Sequence, residues 1–203
     1  MNKGQLNTTI TRYLKRDDLI DLYDTWIEFT STRIDTQLRL REQEYRTITV
    51  PDSQFVLLPP DFIEMRHIQT SQNGGRPLRY VTPNKLDQLR ARYSDSFAPM
   101  GFYTILDNQI EISPAPGPDN EATLEMFYYA KLPPLPGNQS TNKVLTAFPQ
   151  LYLYGVMIES AAIREAPQDI QMYTQLWRDY AKTLTDRQAA ARFSGDSKQM
   201  RAS

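Results

Sequence analysis

The stretch that most constrains this chain is residues 141–193, because it contains two apolar stripes that have nowhere to go except against each other. In its first half Val144, Phe148, Leu151, Gly155, Ile158 and Ala162 recur at alternating steps of four and three, the spacing of one helical face. Ile170, Tyr173, Trp177, Tyr180, Leu184 and Ala191 nearly repeat the pattern after Pro167. Two amphipathic helices joined by a short polar break are expected to pack antiparallel, since neither stripe can be buried alone.

Upstream, the periodicity predicts a short helix over residues 4–14 and a longer one from Asp17 to Arg41. Asp17 or Asp18 stands at the start of the second, and Arg33, Arg39 and Arg41 come late, where the helix dipole favours cations. From Glu44 the period becomes twofold. Strands are expected over residues 45–50, 54–58, 62–70 and 77–81, punctuated by Pro51-Asp52, Pro59-Pro60-Asp61 and Asn73-Gly74-Gly75. Thr82-Pro83 is an N-cap followed by proline at the first helical position, so a short helix should cover residues 83–93. Residues 102–106 and 109–113 make a hairpin about Asp107-Asn108. A last strand spans 122–131, and the proline-rich residues 132–137 form a hinge into the helical pair.

Helices at both ends and strands in the middle predict an α+β protein with an antiparallel β-rich region. The organisation read from the sequence is a helical layer from residues 1–42 and 138–195, a β-rich region over 43–137 with one short helix, and a flexible tail at 196–203.

Several chemistries are disfavoured. The chain has no cysteine and a single histidine, His67, so thiolate and multi-histidine metal sites lack their parts, and a serine or cysteine triad assembled in the usual way is not expected. Asp61 and Glu64 are the nearest thing to a paired general acid and base, but they sit at a strand start after a diproline, where acids commonly serve turns. No apolar run approaches the roughly 18 residues of a membrane span, and residues 1–16 lack the apolar core of a signal peptide. The formal net charge of -1 provides no cationic excess for gripping DNA phosphates. Expectations are therefore no catalytic residues, no cofactor, no metal and no membrane.

Aromatic content and segregated charge are the positive signals. The 12 tyrosines, 8 phenylalanines and 2 tryptophans exceed what one helical hairpin core would consume, and such rings favour interfaces as readily as cores. Arg76, Arg79, Lys85, Arg90 and Arg92 face only Asp87 in one segment. Asp107, Glu111, Asp119, Glu121 and Glu125 occupy another that has no base. Opposed patches suit head-to-tail contacts between identical subunits, and the alternative is that each is a solvated face.

In five segments the chain resembles the head-to-tail adaptor, or connector, proteins of tailed bacteriophages, especially short-tailed ones. These are FPQLYLYGVMIESA at 148–161 with the later Trp177, Tyr180 and AAARFSG, LPPDFIEMRHI at 58–68, RPLRYVTPNKL at 76–86, YTILDNQIEISPAP at 103–116, and MFYYAKLPPL at 126–135. IDTQLRLRE at 34–42 is similar to the family's helix end. The resemblance implies a structural virion protein at the head–tail junction, assembled in the host cytoplasm. It further implies a dodecameric ring beneath the portal, bridging it to a tail tube or nozzle, with genomic DNA passing through without sequence-specific binding. The candidate interface residues are Tyr152, Tyr154, Trp177, Arg192 and Phe193 in the hairpin, Arg76, Arg79, Arg90 and Arg92 in the basic segment, and the tail from Ser194. Tyr152, Tyr154 and Trp177 fit a core equally well. The alternatives are a peptidoglycan hydrolase using Asp61 and Glu64, and a monomeric nucleic-acid-binding module using residues 76–92.

Overall fold

The fold is taken from a computed structural model, which describes residues 1–71, 76–92, 101–115 and 122–193. The Asn73-Gly74-Gly75 turn, Asp119, Glu121, the tail from Ser194 and the side chains of Arg92, Arg192 and Phe193 lie outside the described residues. The architecture is mixed, with helices at both ends and sheets between, as expected of an α+β chain. Contacts divide it into two compact units, Met1–Gln43 with Lys131–Ser203, and Glu44–Ala130.

The first unit is helical. Asn2 begins α1 (Lys3–Leu14) with a capping box: its carboxamide oxygen accepts from the Gln5 amide at 2.9 Å, and the Gln5 side chain accepts from the Asn2 amide at 3.0 Å. The N-terminus is strapped to a later loop, with Lys3 N–H donating to Ser140 O (2.9 Å) and Gly4 N–H to Asn138 O (2.8 Å). The single helix expected from Asp17 to Arg41 is two elements, a 3₁₀ stretch at Asp17–Leu22 and then α2 (Tyr23–Gln37). No side chain caps the start, and Asp18 is engaged with Arg16 at 2.8 Å. At the other end Leu38 turns extended and buries itself, so Arg39 lies beyond the helix. Its guanidinium nevertheless donates to the carbonyls of Asp35 and Leu38, both at 2.8 Å, so the cation still meets the helix C-terminus.

The first arm of the hairpin is likewise broken into α4 (Lys143–Ala147) and α5 (Pro149–Ile163), because Pro149 has no amide hydrogen to continue the ladder through Phe148. The second arm is α6 (Pro167–Phe193). Trp177 Nε1 donates to Leu151 O at 3.2 Å, and Arg164 pairs with Asp169 across the turn at 3.1 Å, so α5 and α6 run antiparallel. Leu151, Tyr152, Gly155, Val156, Met157, Ile158, Ser160 and Ala161 are all buried, which wraps apolar surface around most of α5. That helix packs on α6, α2 and α1 and is the axis of the unit. Ala162 and Ala191, placed on the stripes by spacing, are exposed.

The second unit carries the strands. A three-stranded sheet has order β1-β7-β3, formed by β1 (Glu44–Thr49), β7 (Leu124–Ala130) and β3 (Phe62–Thr70), all antiparallel. A four-stranded sheet has order β2-β6-β5-β4, from β2 (Phe55–Leu57), β6 (Gln109–Ser113), β5 (Phe102–Leu106) and β4 (Arg79–Tyr80). The expectation of wholly antiparallel strands fails at one pair: β4 and β5 are parallel. The reason is the intervening α3 (Pro83–Arg92), which makes the long crossover that a parallel pair requires. Val56, Ile68, Ile110, Ile112, Leu124 and Met126 form the core between the strands. At roughly 1.5–3 kcal/mol for each large apolar side chain fully removed from water, this cluster is the main apolar stabilisation of the unit.

Residues 132–137 are not a free hinge. Leu132 and Leu135 are buried in the helical core, and Leu132 N–H donates to both carboxylate oxygens of Asp35 at 3.2 Å.

Candidate functional site

Both charged segments of the β unit are partly self-neutralised. Leu86 is fully buried and fixes α3 in place, which brings Arg90 Nη2 to 2.6 Å from Glu111 Oε1, with Asp87 at 3.6 Å on the other side. Arg90 and Glu111, read in the sequence as members of opposed intersubunit patches, therefore meet inside one subunit. Glu125 is also engaged, by Arg46 and by the Gln69 amide, and these contacts hold its carboxyl below the usual range. Arg46 and Arg66 both stand over the Phe127 ring, 5.9 Å from its centroid, and Arg66 pairs with Glu44 at 2.6 Å. Arg76 and Arg79 are exposed, and so are Asp52 and Asp107. Among the described residues none of these four side chains has an ion pair.

Of the hairpin candidates, Tyr152 and Trp177 are core residues at 0% and 3% exposure. The Tyr152 hydroxyl accepts from Asn142 Nδ2 at 2.8 Å and lies 3.1 Å from Ser31 Oγ, tying α5 to α4 and α2, and burial pushes its phenol up. Tyr154 is half-buried and meets Tyr180 edge-on at 6.5 Å. The exposed apolar side chains are different ones: Phe29, Met172 and Leu176 on helices, and Ile48, Phe55, Leu57 and Leu106 on strands. Sequence reasoning passed over them, although the alternation of Phe55 and Leu57 with buried Val56 is a legible two-faced strand.

Of the two residues of the hydrolase alternative, Glu64 is exposed on β3 and Asp61 serves the fold. Asp61 accepts a hydrogen bond from Tyr128 O–H at 3.1 Å, and burial together with that bond pushes the Tyr128 phenol up to about 12. His67 is exposed and meets Gln69 at 3.2 Å. A groove of about 450 Å³ runs between α2 and residues 131–136; of its three acids Glu28 is exposed and the other two are committed. Asp24 pairs with buried Lys3 at 2.9 Å, and Asp35 accepts from Leu132 N–H and from Gln43 Nε2. Burial raises the Asp35 carboxyl, with those hydrogen bonds opposing it. Among the described residues no group of three or more His, Cys, Asp or Glu side chains is arranged to hold a metal ion, and no helix is long and apolar enough to cross a membrane.

What remains is a subunit whose polar groups serve packing and whose open surfaces are apolar strand faces and unpaired charges, the form of an assembly component. A family model described as SU10 adaptor protein matches residues 1–200. The chain belongs to the SU10 adaptor family. That is a family of phage head-to-tail adaptors, and it gives this protein a structural role in the phage particle. No curated protein matches the chain. For an SU10 adaptor the features that matter are the surfaces through which it joins other proteins.

Proposed function

We propose that this adaptor forms a dodecameric ring beneath the portal, bridges it to a tail tube or nozzle, and leaves a lumen through which the genome passes. The family match over residues 1–200 carries the reading. The net charge of -1 supports it, since a conduit that gripped phosphates strongly would retain the DNA it must release. The uncommitted charges and exposed strand side chains support a protein that works by contact. Tyr154, Arg76, Arg79, Arg92, Arg192, Phe193 and the tail are the remaining candidates for portal and neighbour contacts. Tyr152 and Trp177 support those contacts from within the core.

The test is co-sedimentation and negative-stain imaging of the purified chain with and without its portal. Rings seated on the portal are the expected result. Deleting residues 194–203 is expected to abolish docking while the circular dichroism spectrum stays unchanged, and docking that survives the deletion removes the tail from the interface.

A further inference from the structure

Within the helical unit, α1 is complete at both ends and depends on its neighbours only for what it packs against. The Asn2–Gln5 capping box closes its start, and Lys15 N–H donates to Thr11 O at 2.8 Å at its end. Its buried stripe is Lys3, Leu6 and Ile10. Lys3 Nζ reaches Asp24 of α2 at 2.9 Å, the Lys3 and Gly4 amides reach the carbonyls of Ser140 and Asn138, and Leu6 and Ile10 join the cluster that contains α5. A helix of 12 residues is marginal by itself in water, so α1 has to lie in a notch of this kind.

The connection from α1 to α2 is weakly held. Lys15 stands at φ 51°, ψ 37°, a left-handed conformation that disfavours any residue with a Cβ and that helix ends usually give to glycine. Asp17–Leu22 is 3₁₀ with no side-chain cap, and among residues 15–22 only Leu19 is buried. Tyr13 and Ile20, on either side of the bend, are 58% and 49% exposed. Short 3₁₀ stretches often serve as hinges, and a strained connection invites exchange of the element it carries. Drawn out, residues 15–22 span roughly 26 Å, enough to carry α1 to a copy alongside.

We infer that α1 is an exchangeable arm, which in the assembled ring leaves its own notch and fills the identical notch of a neighbouring copy. The fit identifies the occupant as a second copy. Asp24 takes the Lys3 ammonium, and Asn138 O stands 3.1 Å from where a Cβ at Gly4 would lie, so the notch suits a helix with lysine and glycine in succession. Both arrangements make the same contacts and differ at the bend. Opening releases Lys15 from the left-handed region and brings Tyr13 and Ile20 against the neighbouring chain. A ring already holds the next notch within reach of the arm, so little further association entropy is lost and the bend decides. The inference rests on the ring reading given above, which supplies the symmetry; the exchange itself sets none.

Gly4→Cys with Asn138→Cys provides the reporter, since a Cβ built at Gly4 lies 3.3 Å from Asn138 Cβ, near the spacing of a disulfide, and the chain has no cysteine of its own. Rings assembled on the portal, checked by imaging and then oxidised, are expected to give covalent adaptor multimers on a non-reducing gel. Adding Lys15→Gly, which removes the strain at the bend, is expected to shift the product toward bridged monomer by about fivefold or more. Complementation gives a reading that does not need the bridge to form. Lys3→Asp and Asp24→Lys each set like charges together and are expected to lower the thermal midpoint, while an equimolar mixture of the two regains it, because each arm then finds a matching notch only in another copy. Imaged rings whose bridges all lie within single chains, or a mixture no more stable than its separate variants, overturn the exchange and leave the ring reading intact. A wild-type chain that forms no ring even with portal present overturns both.

Discussion

Gly155 shows how one position can be decided by a residue far upstream. A Cβ built there would lie 2.8 Å from Thr30 Oγ1 and closer still to Thr30 Cγ2. Thr30 is fully buried and its hydroxyl donates to Trp26 O at 2.7 Å, so the side chain has no room to rotate away. Replacing a helical glycine by alanine gains about 1 kcal/mol in propensity, whereas overpacking a rigid contact costs about 1–3 kcal/mol. The closer approach to Thr30 Cγ2 puts the cost toward the upper end, and Gly155→Ala is expected to lower stability in urea unfolding by up to about 2 kcal/mol net. Thr30→Ala in the same chain is expected to turn the change into a net gain relative to Thr30→Ala alone. The spacing of Gly155 on an apolar stripe was visible in the sequence. Its reason was not, because periodicity identifies a buried face without naming what lies against it.

At the level of elements, legibility followed local chemistry. The strands 62–70, 102–106 and 109–113 have the bounds their alternation and turns predict. The breaks were less visible: 3₁₀ geometry before α2 and the division at Phe148 depend on which backbone groups find partners in three dimensions. The candidate interface residues divided in the same way, since Arg90 and Trp177 acquired partners that no spacing could name, while Arg76 and Arg79 stayed exposed. The prolines at 133, 134 and 136 suggested a hinge, but Asp35 pins the segment to α2. Asp35→Ala would leave Leu132 N–H and the Gln43 amide without their acceptor, and a loss of about 1–3 kcal/mol is expected in urea unfolding. Asp35→Asn, which keeps an acceptor and removes a charge that burial disfavours, is expected to lose less.

For the molecule as a whole, Glu44–Ala130 is a continuous piece with its own core, whereas the helical unit is assembled from both sides of it. Residues 44–130 expressed alone are expected to fold, with a dispersed amide NMR spectrum and a cooperative thermal transition. A collapsed spectrum would show that the β unit depends on the helices. Residues 1–43 alone should remain largely unstructured, since Leu6, Ile10, Trp26 and Ile34 are buried in a cluster completed by α4, α5 and α6.

The strap between the first residues and the 138–141 loop, with Gly4 and Lys3 donating to Asn138 and Ser140, also sets an order of events during synthesis. Lys3 and Gly4 receive these hydrogen-bonding partners only after the entire β unit has been translated. The strands can therefore finish folding while α1 and α2 still wait, and the closing step is the arrival of α5 in the space they leave, a long-range contact made last.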